Sequence, residues 1–191
     1  MKTFESVTML YFMRHTTTEM NQYKVWSGRT DCDITPEGVA LAKKNFSYTS
    51  HDFDHFYCSP LKPTKQTLDA KIPYQTPIID ERIIERYFGD LEGLPYSIID
   101  DKTIELYIQG KVQPPNGETY QEVKERLISF VEDMFKQYQN QRILVVTHAT
   151  IVRMARDLFL AEMKKKPIKN SELICVTNKD FYNYMNGRNE K

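Results

Sequence analysis

Two histidines and one arginine stand where apolar segments of the sequence end. His15 follows Arg14 and the run Val7–Met13, and His148 follows the run RILVVT at Arg142–Thr147. A neutral imidazole can attack a phosphoryl group near pH 7, and an arginine fork can bind the phosphoryl oxygens and stabilise their charge. We therefore expect phosphoryl-transfer chemistry where these residues meet.

Uninterrupted apolar runs of this kind are typical of strands that are buried on both faces of a parallel sheet. Ligands of open α/β sheets bind at the carboxyl ends of the strands. Because neighbouring parallel strands lie about 4.8 Å apart, His15 and His148 can share one phosphate if their strands are neighbours, which the sequence alone does not establish. A leaving alcohol also needs a proton, and a carboxylic acid whose pKa is raised by burial can donate it.

The rest of the chain alternates strands with helices. Further strands are predicted at Phe53–Cys58, Thr76–Asp80, Leu173–Val176 and Phe181–Tyr184. Helices are predicted from Thr35 as the cap through Phe46, over Leu61–Lys71, near Ser97–Gln109, from Glu118 to about Asn140, and after His148. Thr16–Thr35 is predicted to be a long loop over the sheet edge. This order predicts an α/β fold with three layers, in which a mostly parallel central sheet has helices on both faces.

Composition narrows the class of protein. The 191 residues carry 26 basic and 26 acidic side chains, and no linker divides them, so we expect one domain over residues 1–191 and neither a nucleic-acid nor a membrane partner. The three cysteines form no CxxC pair, which argues against structural zinc and favours a reducing cytoplasm. The N-terminal apolar run is too short to span a bilayer and has no cleavage site. Lys164–Lys166 is predicted to be a solvated helix end.

Six strings give the chain a specific resemblance. They are RHTTTEMN from Arg14, WSGRTDCDITPEG from Trp26, SPLKPTKQT from Ser59, ERYFGDLEG from Glu85, PPNGETYQEVKER from Pro114 and VVTHATIVR from Val145. In this order they resemble the histidine phosphatase superfamily, the phosphoglycerate-mutase-like proteins. The resemblance implies a phosphoglycerate-mutase-like fold, with a lid insertion at about 85–117.

The same resemblance implies a role for individual residues. His15 would become the phosphohistidine, Arg14 and His148 would complete the phosphate pocket, and Glu85 would be the proton donor. Glu81, Glu92 and Glu118 compete with Glu85 for that role. Asn21, Ser27 and Gly28 would lie along the substrate edge of the pocket. Thr16 and Lys62 are further substrate-binding candidates, which the family pattern does not itself supply.

The sequence departs from the family pattern at three positions, of which Ala149, where glycine usually follows the second histidine, is a mild change. Thr16 stands where glycine is usual, and its Cβ limits close backbone approach. Pro63 aligns with the family's second phosphate-binding arginine and has neither charge nor donor. Losing one preorganised donor costs about 10²- to 10³-fold in rate. Lys62 or Lys65 can supply a charge but not an arginine fork.

Our leading hypothesis is a metal-independent phosphatase, without a cofactor, that hydrolyses a small phosphorylated metabolite. The lid is short for excluding water as a mutase must, so hydrolysis is expected over phosphoglycerate-mutase-type transfer. A second hypothesis is a catalytically weakened protein of the same fold that binds a phospho-ligand or a partner. A third is a magnesium-dependent aspartyl phosphatase, because DCDIT at Asp31–Thr35 fits a DxDxT box. That box needs a buried strand before Asp31, and WSGRT reads as a loop. A homodimer is a further hypothesis, on which the sequence does not decide.

Overall fold

A five-stranded sheet forms the centre of the computed structural model, which describes residues 7–44, 47–160 and 167–188. The strands are β1 (Met9–Arg14), β2 (His55–Cys58), β3 (Ile78–Ile79), β4 (Arg142–Thr147) and β5 (Leu173–Thr177). Their order across the sheet is β3-β2-β4-β1-β5, and only β5 is antiparallel to its neighbour. The predicted α/β class with a mostly parallel sheet is confirmed.

Helices cover both faces of this sheet. The helices of the described residues are α1 (Glu19–Gln22), α2 (Pro36–Lys43), α3 (Lys62–Lys71), α4 (Asp101–Ile108), α5 (Tyr120–Gln137), α6 (Ala149–Phe159) and α7 (Asn178–Arg188). In β1, Leu10 and Phe12 point into a core cluster with side chains of α5, α6 and α7, while Tyr11 and Met13 point into a second cluster with Leu68 of α3. Each buried side chain of this size contributes about 1.5–3 kcal/mol, which explains the continuous apolar runs. None of the described helices combines the length and apolarity needed to cross a bilayer.

The strand ends differ modestly from their predicted positions. β1 begins at Met9 rather than Val7, which is exposed, and it includes Arg14. β2 and β3 are shorter than the predicted strands Phe53–Cys58 and Thr76–Asp80. β3 lies at the outer edge of the sheet and pairs with β2 alone. Pairing on a single side stabilises a short strand.

Helix capping explains the main error at the C-terminal end. The prediction of a strand at Phe181–Tyr184 is wrong, because these residues lie in α7. Thr177 Oγ1 and N donate to Asp180 Oδ2 at 2.6 and 2.9 Å, and Asp180 N donates back to Thr177 Oγ1 at 3.2 Å. This reciprocal cap starts a helix in a segment whose aromatic residues favour a strand.

The other helices follow their predicted signals. Thr35 caps α2, and its Oγ1 accepts from Gly38 N at 3.0 Å. α3 matches the predicted helix, with Pro63 in its first turn. α5 ends before Asn140, whose φ of +57° is left-handed. Phe46 and Lys164–Lys166, for which helical positions were predicted, lie outside the described residues.

The predicted long loop and the candidate lid pack on each other. The Thr16–Thr35 loop contains the short helix α1, and the lid region 85–117 contains α4 in place of the predicted Ser97–Gln109 helix. The Trp26 ring lies 4.8 Å from the ring of Phe88 and 4.6 Å from that of Tyr96. An aromatic cluster therefore holds the lid region against the loop that follows β1.

Candidate active site

The two strand-end histidines lie side by side. β1 and β4 are parallel neighbours with Arg14 opposite Thr147, so the next residue of each strand is a histidine. His15 N donates to Thr147 O at 2.8 Å, which extends the pairing by one step. The ring centroids of His15 and His148 are 5.2 Å apart. The sheet order supplies the adjacency that the sequence left open.

His15 is held as a neutral imidazole with one nitrogen fixed. Its Nδ1 lies 2.7 Å from Thr16 O, and a carbonyl can only accept, so Nδ1 carries the proton and Nε2 keeps its lone pair. Burial, followed by repulsion from the protonated form of His148 and from the Arg14 guanidinium, lowers the pKa of His15 to about 3. An imidazole with a free Nε2 at neutral pH is suited to nucleophilic attack.

His148 is fixed by Ser59. It is the N-cap residue of α6, and its Nε2 lies 2.7 Å from Ser59 Oγ. Burial, then the charges of Arg126 and Arg14, lowers the pKa of His148 to about 3. Ser59 directly follows β2, the other neighbour of β4, so three strand ends meet here. The sequence analysis did not select Ser59, although its place after a strand and in the SPLKPTKQT string is a usable signal.

Arg14 offers a buried donor toward this site. Its Nη1 donates to Ile168 O at 2.6 Å, while its Nε is buried with no acceptor within hydrogen-bond distance in the described part of the chain. Burial lowers the pKa of Arg14, and the charge of Glu85 opposes that shift. A partly buried guanidinium with a buried, unused Nε donor is suited to an anionic ligand.

Glu85 is bound at the helix that His148 caps. It follows the 3-10 turn Glu81–Ile83 and is buried. Its Oε1 accepts from Arg86 N at 2.7 Å, and its Oε2 accepts from Thr150 N at 3.2 Å. Thr150 lies in the first turn of α6, where unpaired N–H groups attract carboxylates. The Glu85 carboxyl group is therefore held at the same helix end as His148.

Two asparagines meet beside His15. Asn21 Oδ1 accepts from Thr18 N at 3.3 Å and from Asn170 Nδ2 at 3.1 Å. Asn170 Nδ2 also donates to His15 O at 3.2 Å. This places Asn21 close to the His15 backbone, while its role at the substrate edge stays a prediction. Asn170 carried no signal in the sequence, because it comes from the distant segment before β5.

Three other candidate residues, Thr16, Gly28 and Ser27, lie in contact with other parts of the chain. Thr16 Oγ1 donates to Gly38 O at 2.8 Å, so its hydroxyl points to α2. Gly28 has a φ of +44° and lies against the Glu92 carboxylate, which a Cβ would overlap. Ser27 O accepts from Thr30 N at 2.6 Å within a turn. A substrate role for these three residues stays a prediction.

The segment around Pro63 contains no obvious replacement for the missing arginine. Pro63 is buried in the first turn of α3, and its carbonyl accepts from Thr67 Oγ1 at 2.6 Å. Thr67 Oγ1 in turn accepts from Thr16 N at 3.0 Å, which ties this turn to the His15 segment. Lys62 Nζ lies 4.0 Å from Asp33 Oδ1, and Lys65 is exposed. Lys62 as a substrate ligand also stays a prediction.

The DCDIT string does not form an aspartyl-phosphatase site. Asp31 is exposed and follows a turn rather than a buried strand. Its Oδ1 accepts from Lys62 N at 2.8 Å, and Asp33 Oδ1 accepts from Gln66 Nε2 at 2.7 Å. Both carboxylates therefore accept hydrogen bonds from residues of α3.

Comparison with known proteins agrees with this geometry. The sequence model of the histidine phosphatase superfamily (branch 1) matches residues 10–185. The chain is 28% identical over 153 residues to the uncharacterized phosphatase PhoE of Bacillus subtilis, a match that covers 76% of this chain and 74% of that protein. It is 28% identical over 158 residues to the adenosylcobalamin/alpha-ribazole phosphatase of Salmonella typhimurium, which covers 76% of each chain.

A solved structure shows the same fold. The phosphoglycerate mutase from Thermus thermophilus superposes with a TM-score of 0.71 at 22% identity, over 88% of this chain and 92% of that one. The predicted three-layer, phosphoglycerate-mutase-like architecture is confirmed.

Proposed function

The chain belongs to the histidine phosphatase superfamily, and we propose that it is a metal-independent phosphatase that hydrolyses a small phosphorylated metabolite through a phosphohistidine on His15. The observation that carries the proposal is the pair of buried rings of His15 and His148, 5.2 Å apart beside the Arg14 guanidinium. The relatives named as phosphatases support the reaction class. A cytoplasmic location is part of the proposal, supported by the free thiols of Cys32, Cys58 and Cys175.

In the first step, His15 Nε2 forms a bond to phosphorus while the bond from phosphorus to the leaving oxygen breaks. Arg14 and His148 hold the phosphoryl oxygens, whose charge spreads in the transition state. Glu85 in its acid form gives its proton to the leaving oxygen, so that an alcohol departs. The neutral state of His15, maintained by burial, keeps its lone pair available without a separate base.

In the second step, water attacks the phosphorus of the phosphohistidine and the N–P bond breaks. The Glu85 carboxylate takes a proton from that water, which regenerates the acid form and releases inorganic phosphate. The position of Glu85 at the first turn of α6, where it accepts from the residue two positions after the His148 cap, supports its place beside the phosphoryl group.

A second candidate function is favoured by Pro63. Because a buried proline replaces a family arginine, the same pocket can bind a phospho-ligand with little turnover. Measurable phosphate binding without detectable hydrolysis of any ester would select this function.

Hydrolysis of p-nitrophenyl phosphate and of a panel of metabolite phosphomonoesters tests the proposal, with a chelator present throughout. We expect turnover by the unaltered chain, none by His15→Ala or His15→Asn, and normal turnover by His51→Ala, whose side chain is exposed in a surface turn. A phosphate label that is acid-labile and base-stable should accumulate on the unaltered chain and not on the His15 variants. Full activity of a folded His15 variant would reject the proposal.

A further inference from the structure

Three charged residues, Glu118, Arg29 and Arg126, form what we call the Glu118 clamp. We propose that this clamp is a positioning device that fixes Glu85 where it can protonate the leaving group. The inference rests on the proposed function, because it assigns these residues a part in the same reaction. Neither arginine was a candidate in the sequence analysis, and Glu118 was weighed there only as one of the glutamates, with Glu81 and Glu92, that compete with Glu85 for the role of proton donor.

Arg126 of α5 fixes the backbone that leads to Glu85. Its Nε donates to Glu118 Oε1 at 2.8 Å and its Nη2 donates to Glu118 Oε2 at 3.0 Å, a two-pronged ion pair. Its Nη1 donates to Arg82 O at 2.7 Å and to Ile84 O at 2.6 Å. Its Nη2 also reaches Glu85 O at 3.2 Å. One guanidinium thus binds three carbonyls of the segment that ends in the proposed acid.

Arg29 reaches the same carbonyl from the loop after β1. Its Nε donates to Glu85 O at 3.3 Å, and its Nη2 pairs with Glu118 Oε2 at 3.1 Å. Glu118 Oε2 also accepts from Tyr87 N at 3.2 Å, on the far side of Glu85. The backbone around the acid is therefore held from the α5 side, from the loop side and through Tyr87.

The charges explain why Glu118 is the centre of this arrangement. The side chains of Glu118 and Arg126 are only 11% and 15% exposed, whereas that of Arg29 is 39% exposed. Without the Glu118 carboxylate, two guanidiniums would face each other in a poorly solvated space, which is costly. The clamp consequently depends on a charged Glu118, and Arg29 is the member that can be replaced with least effect on folding.

Fixing the backbone matters because the Glu85 carboxyl group itself accepts only a few hydrogen bonds from the described residues. Two N–H groups, from Arg86 and Thr150, hold its oxygens. A shift of about 1 Å in a reacting group can cost roughly 10²-fold in rate. Loosening the clamp should therefore impair proton donation more than phosphate binding, which other elements provide.

Leaving-group dependence separates this role from a general structural one. The constant kcat/KM reports the steps up to departure of the leaving group, so it excludes later hydrolysis of the phosphohistidine. A p-nitrophenolate leaves without a proton, whereas an alkoxide must be protonated. We would measure kcat/KM for a series of aryl and alkyl phosphates of rising leaving-group basicity, using the unaltered chain, Arg29→Gln, Glu118→Gln and Glu85→Gln.

We expect Glu118→Gln and Arg29→Gln to lower kcat/KM for alkyl phosphates by about tenfold to a hundredfold, with p-nitrophenyl phosphate changed less than about threefold. Glu85→Gln should show the same selective loss, larger in size. The matched control is Glu132→Gln, which removes a surface ion pair with Lys136 on the same helix as Arg126 and should leave the series unchanged.

The outcomes are distinct. Equal losses for all esters in folded Arg29→Gln and Glu118→Gln, or no loss in either, would overturn the inference while the phosphatase stands. Absence of turnover by the unaltered chain, or its persistence in His15→Ala, would reject the proposed function and this inference with it.

Discussion

Ser59 Oγ lies 2.7 Å from His148 Nε2, and both residues are buried. The contact joins the ends of β2 and β4 and fixes the ring that we propose to bind the phosphoryl group. Ser59 Oγ also accepts from Leu61 N at 3.4 Å, so its own proton can be donated to the imidazole. The Ser59 hydroxyl therefore holds the His148 ring in one orientation.

Ser59→Ala should weaken catalysis more than folding. A buried imidazole nitrogen left without a partner costs about 1–3 kcal/mol, which corresponds to roughly 5- to 150-fold in rate where the loss falls on the transition state. We expect kcat/KM for p-nitrophenyl phosphate to fall within that range. Ser129→Ala, at a hydroxyl on α5 that contacts Arg82, is the control and should keep full activity. A fully active Ser59→Ala would show that the ring needs no such anchor.

The buried histidines should make stability depend on pH. Their pKa values are lowered to about 3, against about 6.5 in an unfolded chain. Between these pH values the unfolded chain binds more protons than the folded chain, so the free energy of unfolding decreases as the pH falls from about 6.5 toward 3. Above about pH 6.5 the histidines are neutral in both states and cause no loss of stability. We expect Tm to be lower at about pH 5 than at about pH 7.

His148→Gln tests the origin of that dependence, because the carboxylates common to both chains cancel in the comparison. Its Tm should fall less steeply between about pH 6.5 and 5 than that of the unaltered chain. Thermal unfolding followed by circular dichroism at closely spaced pH values measures both slopes. Parallel slopes would contradict the assignment of the proton uptake to His148.

Pro63→Arg should raise activity. Position 63 lies in the first turn of α3, where the backbone N–H that arginine adds needs no intrahelical acceptor, and its turn is tied through Thr67 to Thr16 N. A restored guanidinium can recover up to about 10²- to 10³-fold in kcat/KM. Pro63→Lys is the matched control and should gain less, because an ammonium lacks the fork. Equal or absent gains would show that position 63 does not face the phosphate.

Gly38 should tolerate no side chain, because α2 closely approaches the His15 segment. A Cβ at Gly38 would lie 2.4 Å from Thr17 O and 3.3 Å from Thr16 Cγ2. We expect Gly38→Ala to lower the free energy of unfolding by about 1–3 kcal/mol. Each kcal/mol of this loss should lower Tm by about 2–4 °C in a chain of this length. Gly187→Ala, whose Cβ would meet nothing within 4 Å in α7, should leave Tm unchanged or slightly higher.

The meeting of His15 and His148 could be predicted from the sequence, up to the order of the strands, because strand ends are local features. Apolar runs followed by histidines marked His15 and His148, and the resemblance added Glu85. The strands' adjacency depends on sheet order, which local patterns do not encode. Ser59 had a strand-end signal that was not used.

Other site features depend on contacts between distant segments. Asn170 and the Glu118 clamp depend on residues far apart in the chain, so periodicity and spacing could not group them. The α7 error arose because a reciprocal cap at Thr177 and Asp180 outweighed the strand preference of the aromatic residues that follow.

The direction of β5 has a consequence for how the protein is made. As the antiparallel partner of β1, it brings Asn170 to His15 and covers one backbone edge of the strand that directly precedes the proposed nucleophile. During translation β1 emerges first, while its two neighbours β4 and β5 begin only at Arg142 and Leu173. An exposed strand edge is prone to mispairing, so a ribosome-bound chain halted before β5 should be inactive and a target for chaperones.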